Sequence, residues 1–367
     1  LKRAFAHMML FCGVFFAASM VVNAAVRLIA PPPYMGMLTD KIAAFETLRD
    51  KVDIVFIGTS RTFRQVNTPL IETRLKEKGC GAYTVFNMGI PNLTYGELRY
   101  VLDHMYAAPT PRLKLVILDE PMPAVRPELG RLRSDRVRFF SDWRGTGLRF
   151  EDIASAQENW PKKAAHFGIA VLGFLYEQTS VGHLSRLAFP ELYAKKSEAD
   201  PEAQNMPRDW WPTRGYFSLE EQGHVNEAVQ TRHTKFMQGL EKFSAQLTAQ
   251  EKSPPAAAAF SSERARLFGA VFDQITAHGQ IAGLYLPPLS ERVAENAGFK
   301  AAVQKDFPET KLFYYNDPVR FGMFWNGLLW FDEAHLNDAG SRMLSEEMVP
   351  ALCGITKTWK GAQHAVR

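Results

Sequence analysis

A serine becomes a nucleophile when a neighbouring base takes its proton and a carboxylate orients that base. This sequence offers one such set. Ser60 follows the β-rich apolar run VDIVFI, residues 52–57, through Gly58 and Thr59. That places it on a tight turn at the end of a buried strand, with its hydroxyl at the rim of a sheet; Gly58 permits close backbone approach there. Near the far end of the chain Asp332 and His335 stand three apart, just before a terminal helix. A short loop there would set both against the same strand-end crevice. Gly-Thr-Ser alone says little, because many strand-end turns contain serine. Asp-x-x-His alone says little, because a loop histidine is usually solvated or satisfied. Together, in this order, they point to acyl chemistry at Ser60, with His335 as base and Asp332 as its orienting carboxylate.

The elements that must position these residues follow from periodicity. Helical patterns are expected over 38–50, 69–78, 95–107, 262–277 and 291–305, with a further helix at the end of the chain. Strands are expected over 52–57, 82–87, 113–118, 281–286 and 311–315. Strands alternating with helices imply right-handed βαβ units and a parallel sheet covered on both faces. The expected fold class is therefore α/β, a three-layer α/β/α arrangement with its chemistry at the carboxyl ends of the strands. Between residues 123 and 258 the alternation stops, and the segment reads as a largely helical insertion or cap between a first α/β part (31–122) and a second (259–367).

Residues 4–26 carry no Asp, Glu, Lys or Arg. Twenty-three apolar or neutral residues suffice to span a bilayer as a helix. Lys2 and Arg3 precede them, which favours an N-terminus in the cytoplasm and a body outside. The length favours an uncleaved anchor over residues 1–30 rather than a signal peptide cut near Asn23-Ala24-Ala25. The rest of the chain is ordinary for a globular protein with a core: 367 residues, 46% hydrophobic and 22% charged. A net charge of +4 without a long basic run makes nucleic acid a poor candidate partner. The three cysteines, Cys12, Cys80 and Cys353, form no CxxC pair, so no metal is expected, and no cofactor either. Whether Cys80 and Cys353 pair is open from sequence.

The blocks Ile57-Gly-Thr-Ser60-Arg61, Asn87-Met-Gly89 and Asp332-Glu-Ala-His335-Leu-Asn337 resemble those of the SGNH (GDSL-like) hydrolase/acyltransferase superfamily. With the apolar N-terminus, the Gly-x-Ser-Arg block is most similar to the membrane-anchored branch that includes D-alanine transfer and alginate O-acetylation proteins. The resemblance implies a Ser60–His335–Asp332 triad outside the cytoplasm, at the cytoplasmic membrane. It also implies a polysaccharide or glycan acceptor and a membrane-bound O-acyltransferase that supplies the acyl group, an acetyl by analogy. Two departures matter. Thr59 stands where an Asp usually precedes the serine. Leu118-Asp119-Glu120 stands where the family's third block has an Asn that helps form the oxyanion hole. Backbone N–H groups of Ser60 and Gly89 and the Arg61 side chain are the remaining candidate donors. Glu120 has either a structural or an acceptor-binding role, and a carboxylate at that strand end would repel the developing oxyanion. In the insertion, Trp210 and Trp211 would suit a sugar ring or serve as core anchors. Arg126, Arg131, Arg133, Arg136 and Arg138 form a basic stretch facing solvent, anionic polymer or headgroups. The same triad would serve an acyltransferase or an esterase/deacetylase; a different class of reading is a non-catalytic partner that holds a polysaccharide or an acyltransferase.

Overall fold

A computed structural model describes residues 2–29, 32–119, 134–156, 158–179, 209–260 and 262–364. In chain order these form α1 (Lys2–Ile29), α2 (Met37–Leu48), β1 (Ile54–Gly58), α3 (Ser60–Gln65), α4 (Thr68–Glu77), β2 (Val85–Gly89), α5 (Tyr95–Tyr106) and β3 (Leu115–Asp119). Then come α6 (Asp135–Phe139), α7 (Trp143–Ser155), α8 (Trp160–Thr179), α9 (Leu219–Gly223), α10 (Glu227–Gln238) and α11 (Leu240–Lys252). The last part holds α12 (Ser262–Ala277), β4 (Ile281–Leu286), α13 (Val293–Asp306), β5 (Lys311–Tyr314), β6 (Trp330–Asp332), β7 (His335–Leu336) and α14 (Asp338–His364).

The chain divides into two compact units. One comprises Leu1–Thr39 and Pro123–Asp200, the other Asp40–Met122 and Pro201–Arg367. The expected insertion is thus split: its first part joins the N-terminal helix, and its second part joins the sheet.

In the second unit, five parallel strands pair in the order β2-β1-β3-β4-β5. The chain leaves β1 for β2, then crosses back over β1 to reach β3. The order therefore reverses between β1 and β3, and their carboxyl ends flank the crevice where such sheets bind ligands. Ser60 and Asp119 stand on either side of it. Residues of alternating parity in each strand face opposite ways. Ile54, Phe56, Leu115, Ile117, Tyr285 and Phe313 share one cluster with Ile71 and Leu75 of α4 and with Leu344, Met348 and Leu352 of α14. Each such fully buried side chain contributes about 1.5–3 kcal/mol. The same cluster takes in Phe236 of α10, Phe243 and Leu247 of α11, and Trp330 of β6. The second part of the insertion is therefore core, not an appended cap. A disulfide between Cys80 and Cys353, Cα atoms 5.2 Å apart, ties the chain after α4 to α14.

β1 and β3 begin two residues later than the apolar pattern suggests, and β2 three. Asp53 explains the shift at β1. Its carboxylate accepts the Thr84 N–H (2.8 Å) and pairs with Arg112 (3.0 Å), so a charged side chain anchors the approach to the sheet just before the regular pairing begins at Ile54.

In the first unit, α1 is the one helix among the described residues that is long and apolar enough to cross a membrane. It packs against α8, which also meets α6 and α7. The Asn23 amide is buried and donates to the Glu177 carbonyl (3.2 Å) and to Gln178 (3.4 Å). Arg138 of α6 pairs with the fully buried Glu177 carboxylate (3.4 Å), so this arginine does not face solvent, polymer or headgroups. Arg126, Arg131 and Arg133 of the basic stretch lie outside the described residues.

Candidate active site

Ser60 is the first residue of α3. Thr59 caps this helix, its hydroxyl accepting the Arg61 N–H. The turn is tight because Gly58 lacks a side chain: a Cβ there would lie 2.4 Å from Asp119 Cβ and 2.2 Å from Thr62 Oγ1. Asp119, at the end of β3, is buried and organises the turn. Its Oδ2 accepts the Thr59 N–H (3.2 Å), the Thr59 hydroxyl (2.7 Å) and the Thr62 hydroxyl (3.4 Å). Its Oδ1 meets the Arg61 guanidinium at 3.5 Å. The carboxylate that holds Thr59 thus comes from the neighbouring strand.

The other end of α3 is held as firmly. Asn87 of β2 donates from Nδ2 to the Thr62 (2.8 Å) and Val66 (2.9 Å) carbonyls. Ser341 and Ser345, one turn apart on α14, donate to the Arg64 (3.1 Å) and Gln65 (3.4 Å) carbonyls. These side chains satisfy acceptors that a helix C-terminus leaves open.

Asp332 and His335 face each other across a two-residue hairpin, the antiparallel pair β6–β7. That is the meaning of the Asp-x-x-His spacing. Ala334 N–H turns back to Asp332 Oδ1 (2.9 Å), a local bond that favours the turn. His335 Nδ1 lies 2.8 Å from Asp332 Oδ1, and His335 Nε2 lies 2.8 Å from Ser60 Oγ. A serine, an imidazole and a carboxylate thus stand in one hydrogen-bonded line. Arg232 of α10 completes the carboxylate's partners, its Nε 3.1 Å from Asp332 Oδ2. The adjacent His233 bonds the Phe331 carbonyl through Nδ1 (2.8 Å) and stacks on the Phe331 ring. Burial pushes the Asp332 carboxyl up, but the His335 ring beside it, the Arg232 charge and the Ala334 N–H outweigh burial and hold it below its usual range.

The remaining expected site residues are placed differently. Gly89 N–H donates to Asn87 Oδ1 (2.8 Å), which removes that amide from the expected oxyanion donors. Its glycine is required by packing, because a Cβ would lie 2.2 Å from Phe63 N. Arg61 is buried against Asp119, and the pairing neutralises the carboxylate expected to repel an oxyanion. Ser60 N–H, at the first position of α3, has no intrahelical acceptor and remains a donor candidate. Trp210 is a core anchor: it is buried, its ring edge-on to Phe63 at 5.9 Å and 4.4 Å from Lys41 Nζ. Trp211 lies at the opposite end of the sheet from Ser60. It stacks on Arg214 (3.6 Å), whose guanidinium bonds Glu72, and Glu72 accepts the N–H of Val85 at the start of β2. Neither tryptophan joins the Ser60–His335–Asp332 group. Glu120 lies outside the described residues.

Three contributions were not legible from local motifs: Asp119 as organiser of the turn, Arg232 as partner of Asp332, and Lys41. Lys41 is fully buried and donates to the carbonyls of Asn87 (2.7 Å) and Gly215. Burial first, then the Arg64 charge, pushes its ammonium well below the usual lysine range. Among the described residues, no cluster of His, Cys, Asp and Glu could hold a metal. Comparison with protein-family models and with curated proteins finds no match to this chain.

Proposed function

We propose that this chain is an SGNH-type acyltransferase that acts outside the cytoplasm and moves an acyl group, an acetyl by resemblance, onto a cell-surface or secreted polysaccharide. The observation that carries the reading is the unbroken line Ser60 Oγ–His335 Nε2–Asp332 at 2.8 Å per step. In this scheme Ser60 Oγ attacks the acyl carbonyl as its proton passes to His335 Nε2. Asp332 holds Nδ1–H and balances the imidazolium. The Ser60 N–H faces the oxyanion, and the leaving group departs with the proton from His335. The acyl-Ser60 is then attacked by an acceptor hydroxyl whose proton returns through His335. The three-layer SGNH arrangement fits the strand order and the position of Ser60 after β1. A membrane anchor in α1 fits delivery of the donor by a membrane-bound O-acyltransferase, and the disulfide suits an oxidising compartment.

A side-chain oxyanion donor is typically worth about 100- to 1000-fold in rate. No side-chain amide stands at 118–120, so simple soluble esters should turn over slowly. The test is to incubate the full chain and its Ser60→Ala variant with an activated acetyl ester, with and without alginate. Acetyl on Ser60 that is discharged to the polysaccharide supports the transferase. Vigorous discharge to water, lost in Ser60→Ala, moves the reading to an esterase. No Ser60-dependent label or product overturns catalysis and leaves the non-catalytic binding role.

A further inference from the structure

We propose that α8 is a second membrane element, lying in the outer leaflet of the bilayer that α1 spans. This rests on reading α1 as a transmembrane helix. On α1 the covered positions are Phe16, Ser19, Met20, Asn23 and Val26, spaced as one helical stripe; its other large apolar side chains are exposed. The stripe falls inside the uncharged run 4–26. The helix that packs on α1 is α8, through Asn23 and the Glu177–Gln178 end of α8. A partner seated on a stripe at bilayer depth shares that depth.

The composition of α8 agrees. Residues 164–176 contain no Asp, Glu, Lys or Arg, and the one histidine among them, His166, turns to Glu158 (2.9 Å). One face of α8 is covered. The opposite face exposes Val171, Leu172, Leu175 and Tyr176, with Leu172 51% exposed. A helix apolar on both faces belongs in a core or in lipid. The patch begins at Tyr176, one residue from the contact with α1, so it is continuous with the lipid-facing surface of the anchor. The amino end of α8 carries Trp160, 71% exposed, and the exposed Lys162. Exposed tryptophan and lysine at the end of an apolar face are the pattern of a headgroup boundary. Thirteen uncharged residues make about 20 Å of helix, short of the ~20 residues a span needs. The element is therefore embedded in one leaflet and does not cross.

The experiment uses the full chain with Cys12→Ala, since Cys12 is the free cysteine among the described residues and Cys80 and Cys353 are paired. Single cysteines replace Leu172, Leu175, Val14 on α1, and the exposed Lys242 on α11, each labelled with an NBD fluorophore. The proteins are reconstituted into vesicles of phosphatidylcholine and phosphatidylglycerol and challenged with doxyl-labelled lipid or aqueous iodide. The proposal expects Leu172→Cys and Leu175→Cys to emit to the blue and lose fluorescence to doxyl lipid, as Val14→Cys does, while Lys242→Cys loses it to iodide. Val14 quenched by doxyl lipid with Leu172 and Leu175 quenched by iodide overturns the proposal and keeps the anchor. All positions quenched by iodide overturns both. Leu172 and Leu175 quenched by neither agent overturns the proposal in favour of a protein covering that face.

Discussion

Asp119→Asn separates two opposite views of the strand end beside the nucleophile. If the Asp119 charge were felt by the oxyanion, removing it would speed acyl transfer. The hydrogen bonds predict the reverse. An asparagine can still accept from Thr59 N–H and Thr59 Oγ1, but as a neutral acceptor. Bonds to a charged group are worth about 1.5–3 kcal/mol and neutral ones about 0.5–1.5, so two downgraded bonds cost about 2 kcal/mol. The asparagine NH2 then faces the Arg61 guanidinium, donor against donor. Removing one partner of a buried pair costs about 3–5 kcal/mol, and less here, because the 3.5 Å contact is long and Arg61 has a further interaction. The expected loss of stability is about 2–4 kcal/mol, read as a shift in the urea midpoint at unchanged slope. A displacement of Ser60 near 1 Å would cost about 100-fold in rate. On an activated acetyl ester kcat should fall with little change in KM. A variant as stable as the parent and equally or more active would refute the assignment of Asp119 as organiser of the turn.

Arg232→Gln should change stability by no more than about 1 kcal/mol, because Arg232 is 44% exposed and such pairs are weak. Asp332 is held below its usual range, so the stability and activity that need its carboxylate are present above the unfolded value near 3.9 and lost as pH falls through the folded one. Without Arg232 the folded value rises, and the acid-side loss of stability, read as Tm against pH, should move to higher pH; an unmoved acid transition contradicts this. Glu220 behaves oppositely. Burial pushes its carboxyl up to about 7, the Asp338 carboxylate adding to it against the bond from Asp338 N–H. The stability it contributes is therefore full below about 4.5 and lost as pH rises through 7. Glu220→Gln, which keeps the acceptor, should flatten Tm against pH over that window, and an unchanged slope would count against it. Lys41→Met leaves the Asn87 and Gly215 carbonyls buried without their donor, at about 1–3 kcal/mol each. A urea midpoint shift equivalent to less than about 0.5 kcal/mol, as for an ordinary surface change, would sink that account.

What the sequence disclosed and what it hid divide by range. Ser60 was legible because a buried strand followed by Gly-Thr-Ser fixes a strand end locally. Asp332 and His335 were legible because a two-residue hairpin is itself a local object. The parallel sheet was legible through apolar runs that need no partner to be recognised. Asp119 was noticed, but its role depends on β3 lying beside β1, which pairing decides and spacing does not. Arg232 was invisible for the same reason: about a hundred residues separate it from Asp332, and only the packing of α10 on β6 joins them. Trp210 stayed open between sugar platform and core anchor because composition cannot distinguish a ring offered to a ligand from one laid under a helix. The six-residue helix α3 was missed because its start is written in the Thr59 cap and not in any apolar period.

The separation of Ser60 and His335 has a consequence in time. They lie 275 positions apart, one early in the chain and one near its end. At about 5–20 residues per second, synthesis takes roughly 14–55 s to cover that interval. A chain that stalls or is cut short displays a serine with no base to activate it. Cys353 follows His335, so the covalent tie between the chain after α4 and α14 also waits for the last part to arrive. In the proposed reaction, chemical competence therefore waits until synthesis has passed His335.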